Sequence, residues 1–332
     1  MKYSVAIRTL GTSTETLHRE LVSIYSQTIQ PEDVIIYIAE GYNRPNFQVG
    51  NEKYVWVKKG MVAQRALRYD EISSEYILTL DDDVELSPDF AQILLSEIKA
   101  HGAGIVGADI FKNHNLTLPQ KLKAIFSNLV FPHYFSKYAF KIYKNGSFSY
   151  ICNPQNRYYP TQSCGGPAIL WEKRILTNLN LRDECWLDNL GFAYGEDQIT
   201  SYKAYCNGYN LGICFNAKIK NLDAKSDSNK YHNSPDKFLI RTKAMFIGWW
   251  RSNYKPNGNN SSGDKTALFA GILKFIWLFW IIGIISIIKF DSNFVSSYLK
   301  GITEGLQFIK SKEFNSIPSY IIKNGLNHNS NI

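Results

Sequence analysis

Three consecutive carboxylates, Asp81-Asp82-Asp83, with Glu85 close behind, follow the apolar run Tyr76-Ile77-Leu78-Thr79-Leu80. Like charges this close repel, so such a cluster at the end of a buried strand is costly unless a counter-charge meets it. A divalent cation is one counter-charge. Hard oxygen ligands suit Mg²⁺ or Mn²⁺, and such an ion is commonly held by one or two carboxylates together with substrate phosphates. The cluster therefore points to chemistry on a nucleoside diphosphate. A solvated acidic turn leading into the helix after Pro88 is the plain alternative.

The elements that must position these acids alternate. Ser4-Val5-Ala6-Ile7 reads as a short apolar strand, and Leu17, Leu21, Ile24 and Tyr25 recur at helical spacing from Thr14. Val34–Ile38, Tyr54–Val57 and Tyr76–Leu80 read as further strands, with a helix expected from about Met61. Pro88 opens another helix, and Gly104–Gly107 starts a fifth strand. This alternation predicts an α/β protein with a mainly parallel sheet flanked by helices, and with ligands at the carboxyl ends of the strands. Glu40 and Asp81–Asp83 fall at such ends.

At 332 residues the chain can bury one large core or two smaller ones. Its 37 basic and 29 acidic residues give a formal charge of +8, which fits an anionic partner. Cys152, Cys164, Cys185, Cys206 and Cys214 are odd in number and contain no CxxC pair. They speak against a zinc ribbon or a disulfide framework, and for a reducing compartment. No charged-then-apolar leader precedes the strand at Tyr3, so no secretory signal is expected.

Residues 110–160 carry seven Lys or Arg, no Asp or Glu, and interleaved aromatics such as Phe126, Phe131, Tyr134 and Tyr143. That mixture suits a membrane interface or an anionic acceptor, or a solvated insertion whose aromatics pack on the sheet. Single-stranded nucleic acid would use it too, but no recognition motif accompanies it, so no nucleic-acid partner is expected. Glu196–Asn207 reads as a helix stopped by Gly208, and about Pro235–Trp250 as an amphipathic helix. Asn253–Asp264 is rich in breakers. Ala267–Ile288 is almost wholly apolar, interrupted only by Lys274 among charged types. As a helix it would span about 33 Å, enough to cross a bilayer core. Lysines flank it on both sides, which makes an in-plane or re-entrant helix an alternative to a simple span.

In this order the motifs resemble the family 2 glycosyltransferases of the GT-A fold, especially bacterial enzymes that build surface polysaccharides. The resemblance covers roughly residues 3–110 and 161–250. It is carried by Tyr3-Ser-Val-Ala-Ile-Arg-Thr9, by Ser23-Ile-Tyr-Ser-Gln-Thr28, and by Ala39-Glu40, where the family usually has an Asp against the nucleobase. Gly60–Arg65, Leu80-Asp81-Asp82-Asp83, Cys164-Gly165-Gly166-Pro167 and Gly195-Glu196-Asp197 complete it.

The resemblance implies that a nucleotide-diphospho-sugar donor is bound by Thr9, Glu40, Arg65, Asp81 and Asp82. It implies Mg²⁺ or Mn²⁺ on Asp83 and Asp81, with His232 as a further candidate ligand. Gly165 and Gly166 fall on the acceptor side. Asp197 is expected to be the base that activates an acceptor hydroxyl, with Glu196 orienting acceptor hydroxyls or a neighbouring helix. His232 and Arg241 lie where relatives place late residues that close over the donor. With a base and no candidate covalent nucleophile, a single displacement inverting the anomeric centre is expected.

The implied organisation is a catalytic domain over 1–250, with a nucleotide-binding half 1–110, the basic aromatic insertion 110–160 and an acceptor half 161–250. A linker 251–265, a transmembrane or interfacial helix 266–290 and a helical tail 291–332 follow. The acceptor is expected to be a glycan or lipid-linked glycan at the cytoplasmic membrane face. Two other readings compete. A sugar-phosphate nucleotidyltransferase would need a Gly-rich phosphate loop richer than Arg8-Thr9-Leu10-Gly11-Thr12. A catalytically silent nucleotide-sugar-binding scaffold at the membrane would not need Asp81, Asp83 and Asp197 together.

Overall fold

Tyr3, Val5 and Ile7 of the first strand point to one face of a sheet, and Ala6 points to the other, because side chains alternate along a strand. A computed structural model describes residues 1–110, 116–129, 137–222, 234–289 and 291–322. Its main sheet has eight strands in the order β3-β2-β1-β4-β10-β6-β11-β9. These are β1 (Tyr3–Thr9), β2 (Val34–Ala39), β3 (Lys53–Val57), β4 (Tyr76–Asp81), β6 (Ile105–Ala108), β9 (Tyr158–Thr161), β10 (Ala168–Glu172) and β11 (Leu211–Cys214). Strands β3, β2, β1 and β4 run parallel, as do β6 and β11; β10 is antiparallel between β4 and β6, and β9 closes the edge antiparallel to β11. The fold is thus mixed α/β with a mostly parallel sheet.

Both faces are covered. On one, Val5 and Ile7 pack with Leu17, Leu21 and Ile24 of α1 (Thr14–Tyr25) and with Leu94 and Ile98 of α2 (Phe90–His101). On the other, Ile35, Tyr37 and Ile77 join Trp171, Trp186 and Ile247. All six residues of β2 are buried, as expected of a parallel strand covered on both sides.

Beyond α3 (Leu118–Asn128), the basic aromatic stretch supplies the hairpin β7 (Phe140–Ile142) and β8 (Phe148–Tyr150), and then edge strand β9. A further small ladder pairs β5 (Val84–Leu86) with β12 (Ile219–Asn221). The remaining helices are α4 (Lys173–Asn178), a 3₁₀ segment Leu181–Leu190, α5 (Glu196–Cys206), α6 (Pro235–Trp249), α7 (Lys265–Lys289), α8 (Asn293–Lys310) and α9 (Lys312–Ser316).

Two expectations are corrected. The helix expected from Met61 is a set of turns over 61–65, because the Asp188 carboxylate accepts from the Val62 and Ala63 amides at 3.0 and 2.9 Å and holds the segment short. The boundary expected at 251 falls inside packed structure. A π-helical turn, Trp250–Tyr254, continues α6, and Arg251, Ser252 and Asn253 are buried there. Asn259, within the breaker-rich stretch, is tied to the Ile309 carbonyl at 2.8 Å. The cysteines form no disulfides, and Cys152, Cys164 and Cys214 are buried.

Candidate active site

Parallel pairing of β1 with β4 sets Arg8 beside Asp81. Strand β4 ends at Asp81, and Asp82-Asp83 turn the chain into β5, whose pairing with β12 is extended by a 2.7 Å bond from the Leu222 amide to the Asp83 carbonyl. Asp81, Asp82 and Asp83 line a cleft of about 840 Å³ with Arg8, Thr9 and Lys59. Thr9 Oγ1 donates to Asp82 Oδ2 at 2.5 Å and accepts from the Gly11 amide at 2.8 Å.

Two arginines draw the distant acids together. Arg8 Nε lies 2.6 Å from Asp81 Oδ1, and its Nη1 lies 3.1 Å from Glu196 Oε1. Arg65 Nη2 donates to the same Asp81 oxygen at 2.6 Å and to the Gly166 carbonyl at 3.0 Å. Its Nη1 bonds Glu196 at 2.8 and 3.0 Å and Asp197 Oδ1. One guanidinium therefore joins the acid cluster after β4 to the acid pair that opens α5, more than a hundred residues later in the chain. Gln64 fixes the segment that carries Arg65, donating to the Thr9 and Tyr37 carbonyls at 3.0 and 3.2 Å.

The electrostatics follow. Burial alone would raise Asp81, but the charges of Arg65 and then Arg8 outweigh it and hold that carboxyl at about 2. Burial pushes Asp82 up to about 6 despite the Thr9 bond, with Asp81 and Asp83 adding repulsion. Behind them Glu20 of α1 is fully buried, and neither of its oxygens is hydrogen-bonded. Burial first, and then the charges of Asp82, Asp81 and Asp83, push it well above the usual carboxylate range.

The expected site residues divide. Thr9, Arg65, Asp81, Asp82, Asp83, Gly166, Glu196 and Asp197 meet at this end of the sheet. Gly166 has no room for a side chain, since a Cβ there would overlap the Asp197 carboxylate; at Gly165 it would meet Ile110. Glu40 is exposed at the end of β2, outside the lining of the cleft. Arg65, expected beside a diphosphate, spends its donors on three carboxylates and a carbonyl. Glu196 is only 3% exposed, with its oxygens on Arg65 and Arg8, so it anchors α5 and is not open to acceptor hydroxyls. Arg241 lies over the Tyr194 ring at 4.9 Å and does not line the cleft. His232 lies outside the described residues.

Arg8, Gln64, Asp188 and Glu20 were not singled out from the sequence, although Arg8 in an apolar strand and Glu20 on the apolar stripe of α1 were visible signals. Among the described residues, no group of three or more His, Cys, Asp or Glu side chains is arranged to hold a metal ion by itself.

Residues 53–158, which include the acid cluster, match the model of glycosyl transferase family 2. No curated protein matches the chain. Among solved structures, Staphylococcus aureus TarS 1–349 is 14% identical with a TM-score of 0.46, covering 94% of this chain and 76% of that one. TarS 1–349 in complex with UDP-GlcNAc is 12% identical at 0.49, covering 93% and 82%. GalNAc-T7 with UDP, GalNAc and Mn²⁺ is 12% identical at 0.49, covering 85% and 56%. These likenesses are distant; it is the match of residues 53–158 to glycosyl transferase family 2 that supports reading this mixed α/β chain as a glycosyltransferase.

Proposed function

We propose that the chain transfers a sugar from a nucleotide-diphospho-sugar to a hydroxyl of a glycan or lipid-linked glycan, in one metal-dependent displacement that inverts the anomeric centre. The carrying observation is the shared arginine: Arg65 bonds Asp81 and Asp197 at once, which sets the two motifs side by side at the cleft. The donor diphosphate lies in the cleft beside Arg8, Thr9 and Lys59, whose charges and hydroxyl suit phosphate oxygens. Glu40, exposed at the neighbouring strand end outside the cleft's lining, is the proposed contact for the base or ribose.

The acids fit a divalent cation, because five carboxyl groups (Asp81, Asp82, Asp83, Glu196 and Asp197) gather around Arg8, Arg65 and Lys59, so that acids outnumber bases. Asp83, assisted by Asp81, would hold Mg²⁺ or Mn²⁺, and the ion would stabilise charge growing on the leaving diphosphate. Arg65 occupies Asp197 Oδ1, which leaves Oδ2 to take the acceptor's proton. Gly166, with no side chain, makes room for that carboxylate.

One helix, Lys265–Ile288, is long and apolar enough to cross a membrane, and only 17% of its most apolar stretch is buried. Its exposed Phe269, Ile276 and Trp280 extend the apolar face of Leu118, Leu122 and Phe126 on α3, where Trp277 Nε1 donates to the Phe126 carbonyl at 2.6 Å. These features support a catalytic domain held at the cytoplasmic membrane face by α7, as a span or in plane.

Incubation with nucleotide sugars, Mn²⁺ and a glycan acceptor tests the reading through nucleoside diphosphate release and the anomeric configuration of the product. Metal-dependent release with inversion is expected. A retained configuration, or transfer at full rate in excess chelator, would sink the mechanism.

A further inference from the structure

A second cavity, of about 590 Å³, lies between α3, α6, α7 and α8. Its walls are apolar, from Phe238, Phe275, Leu278, Ile281, Ile285 and Tyr298, and the charged side chains among its lining residues are Lys123 and Arg241. Among the described residues no carboxylate lines it.

Arg241 has no carboxylate partner among the described residues; its guanidinium rests on the Tyr194 ring. Lys274 lies on the same stripe of α7 as Leu278, Ile281 and Ile285, at spacings of four, seven and eleven residues. It is 2% exposed, within electrostatic range of Arg241, and its one described polar contact is the Phe275 ring at 5.7 Å. A buried ammonium without a counter-charge is costly, and a second cation within electrostatic range adds to the cost. An anion held at Arg241 would offset both. An anion carrying hydrocarbon would also fill the apolar groove.

We infer that this groove binds an anionic bilayer phospholipid, its phosphate at Arg241, which lines the groove, with Lys274 buried behind the wall, and its acyl chains along α7. Access favours a lipid, since the same helix bears the exposed apolar face at Phe269, Ile276 and Trp280. The groove shares Met245 with the slot beside Tyr194 and Gly195, and Asp197 is not in its lining, so the occupant is a lipid held beside the reaction centre. Binding there is independent of the transfer reaction.

The full chain, purified from membranes in mild detergent, is exchanged into mixed phosphatidylcholine and phosphatidylglycerol and examined by native mass spectrometry without donor or acceptor. A single retained phosphatidylglycerol is expected, reduced about tenfold or more in Arg241→Gln and in Lys274→Met, and unchanged in the exposed control Lys310→Gln. If Lys274→Met does not fold, Arg241→Gln decides alone. Equal retention of the two lipids, or retention unaffected by Arg241→Gln, overturns the inference. Displacement of the phospholipid by an isoprenyl phosphate at equal concentration overturns it too, because the groove would then belong to an acceptor.

Discussion

Two clusters of buried charge in this molecule look alike in composition and differ in balance. In the enclosed one, Glu184 takes Arg251 at 2.6 and 2.8 Å and Lys203 at 3.0 Å, while Lys203 also meets Asp183 at 3.2 Å. Trp186 Nε1 adds a bond to Glu184 at 3.0 Å, and Arg251 reaches the Pro318 carbonyl at 2.9 Å. Two acids meet two bases, and Glu184 and Lys203 are wholly buried. In the cleft, acids outnumber bases, Glu20 is left without a partner, and Asp82 is pushed up. A balanced cluster holds helices together. On the proposed function, the unbalanced one is where a cation and a substrate would be received.

The sharpest test of that contrast is Asp197→Asn. Turnover should fall by about 10²- to 10⁴-fold, while a thermal shift with nucleotide sugar is unchanged. Near-normal turnover would break the assignment of the base. Glu184→Gln should do the opposite: spare the chemistry in whatever protein folds, but cost about 3–5 kcal/mol in denaturant unfolding, by leaving Arg251 and Lys203 buried without their partner.

Glu184 also sets an acid dependence. Burial would raise it from the usual 4.5, but Arg251 and Lys203 hold it at about 2 in the folded chain. Its contribution is therefore complete above about 4.5 and is lost as pH falls through about 2. Unfolding curves of the parent should weaken across that window, and those of Glu184→Gln should weaken less.

Next in size is ligand stabilisation. A nucleoside diphosphate with Mn²⁺ at a hundred times its dissociation constant should add about 2.7 kcal/mol, and Asp83→Ala should lose the Mn²⁺ increment. Smallest is Arg19→Gln, which removes an exposed pair with Glu85 and should change stability by no more than about 1 kcal/mol. A larger loss there would mean that surface pairs, too, belong to the acid network.

Much of the fold was legible because strand and helix periods are local. The runs at Tyr3, Val34 and Tyr76 became parallel strands, and Leu17, Leu21 and Ile24 became the buried face of α1. The segment after Gly60 was misread: its local bonds close only turns, and its Val62 and Ala63 amides go to Asp188, far along the chain, which no local pattern recorded. Arg251 sat in a stretch that composition marked as a linker, and only its distant partner Glu184 explains its burial.

By itself the sequence determined the alternation of elements, the acid cluster at a strand end, the acid pair opening α5 and the long apolar helix, since each is written in neighbouring residues. Tertiary structure alone decided which charges meet. Arg8 and Arg65 join Asp81 to Glu196 and Asp197, while Lys274 turns inward with no carboxylate partner among the described residues. Coulomb interaction depends on distance in space and on burial, and chain order fixes neither.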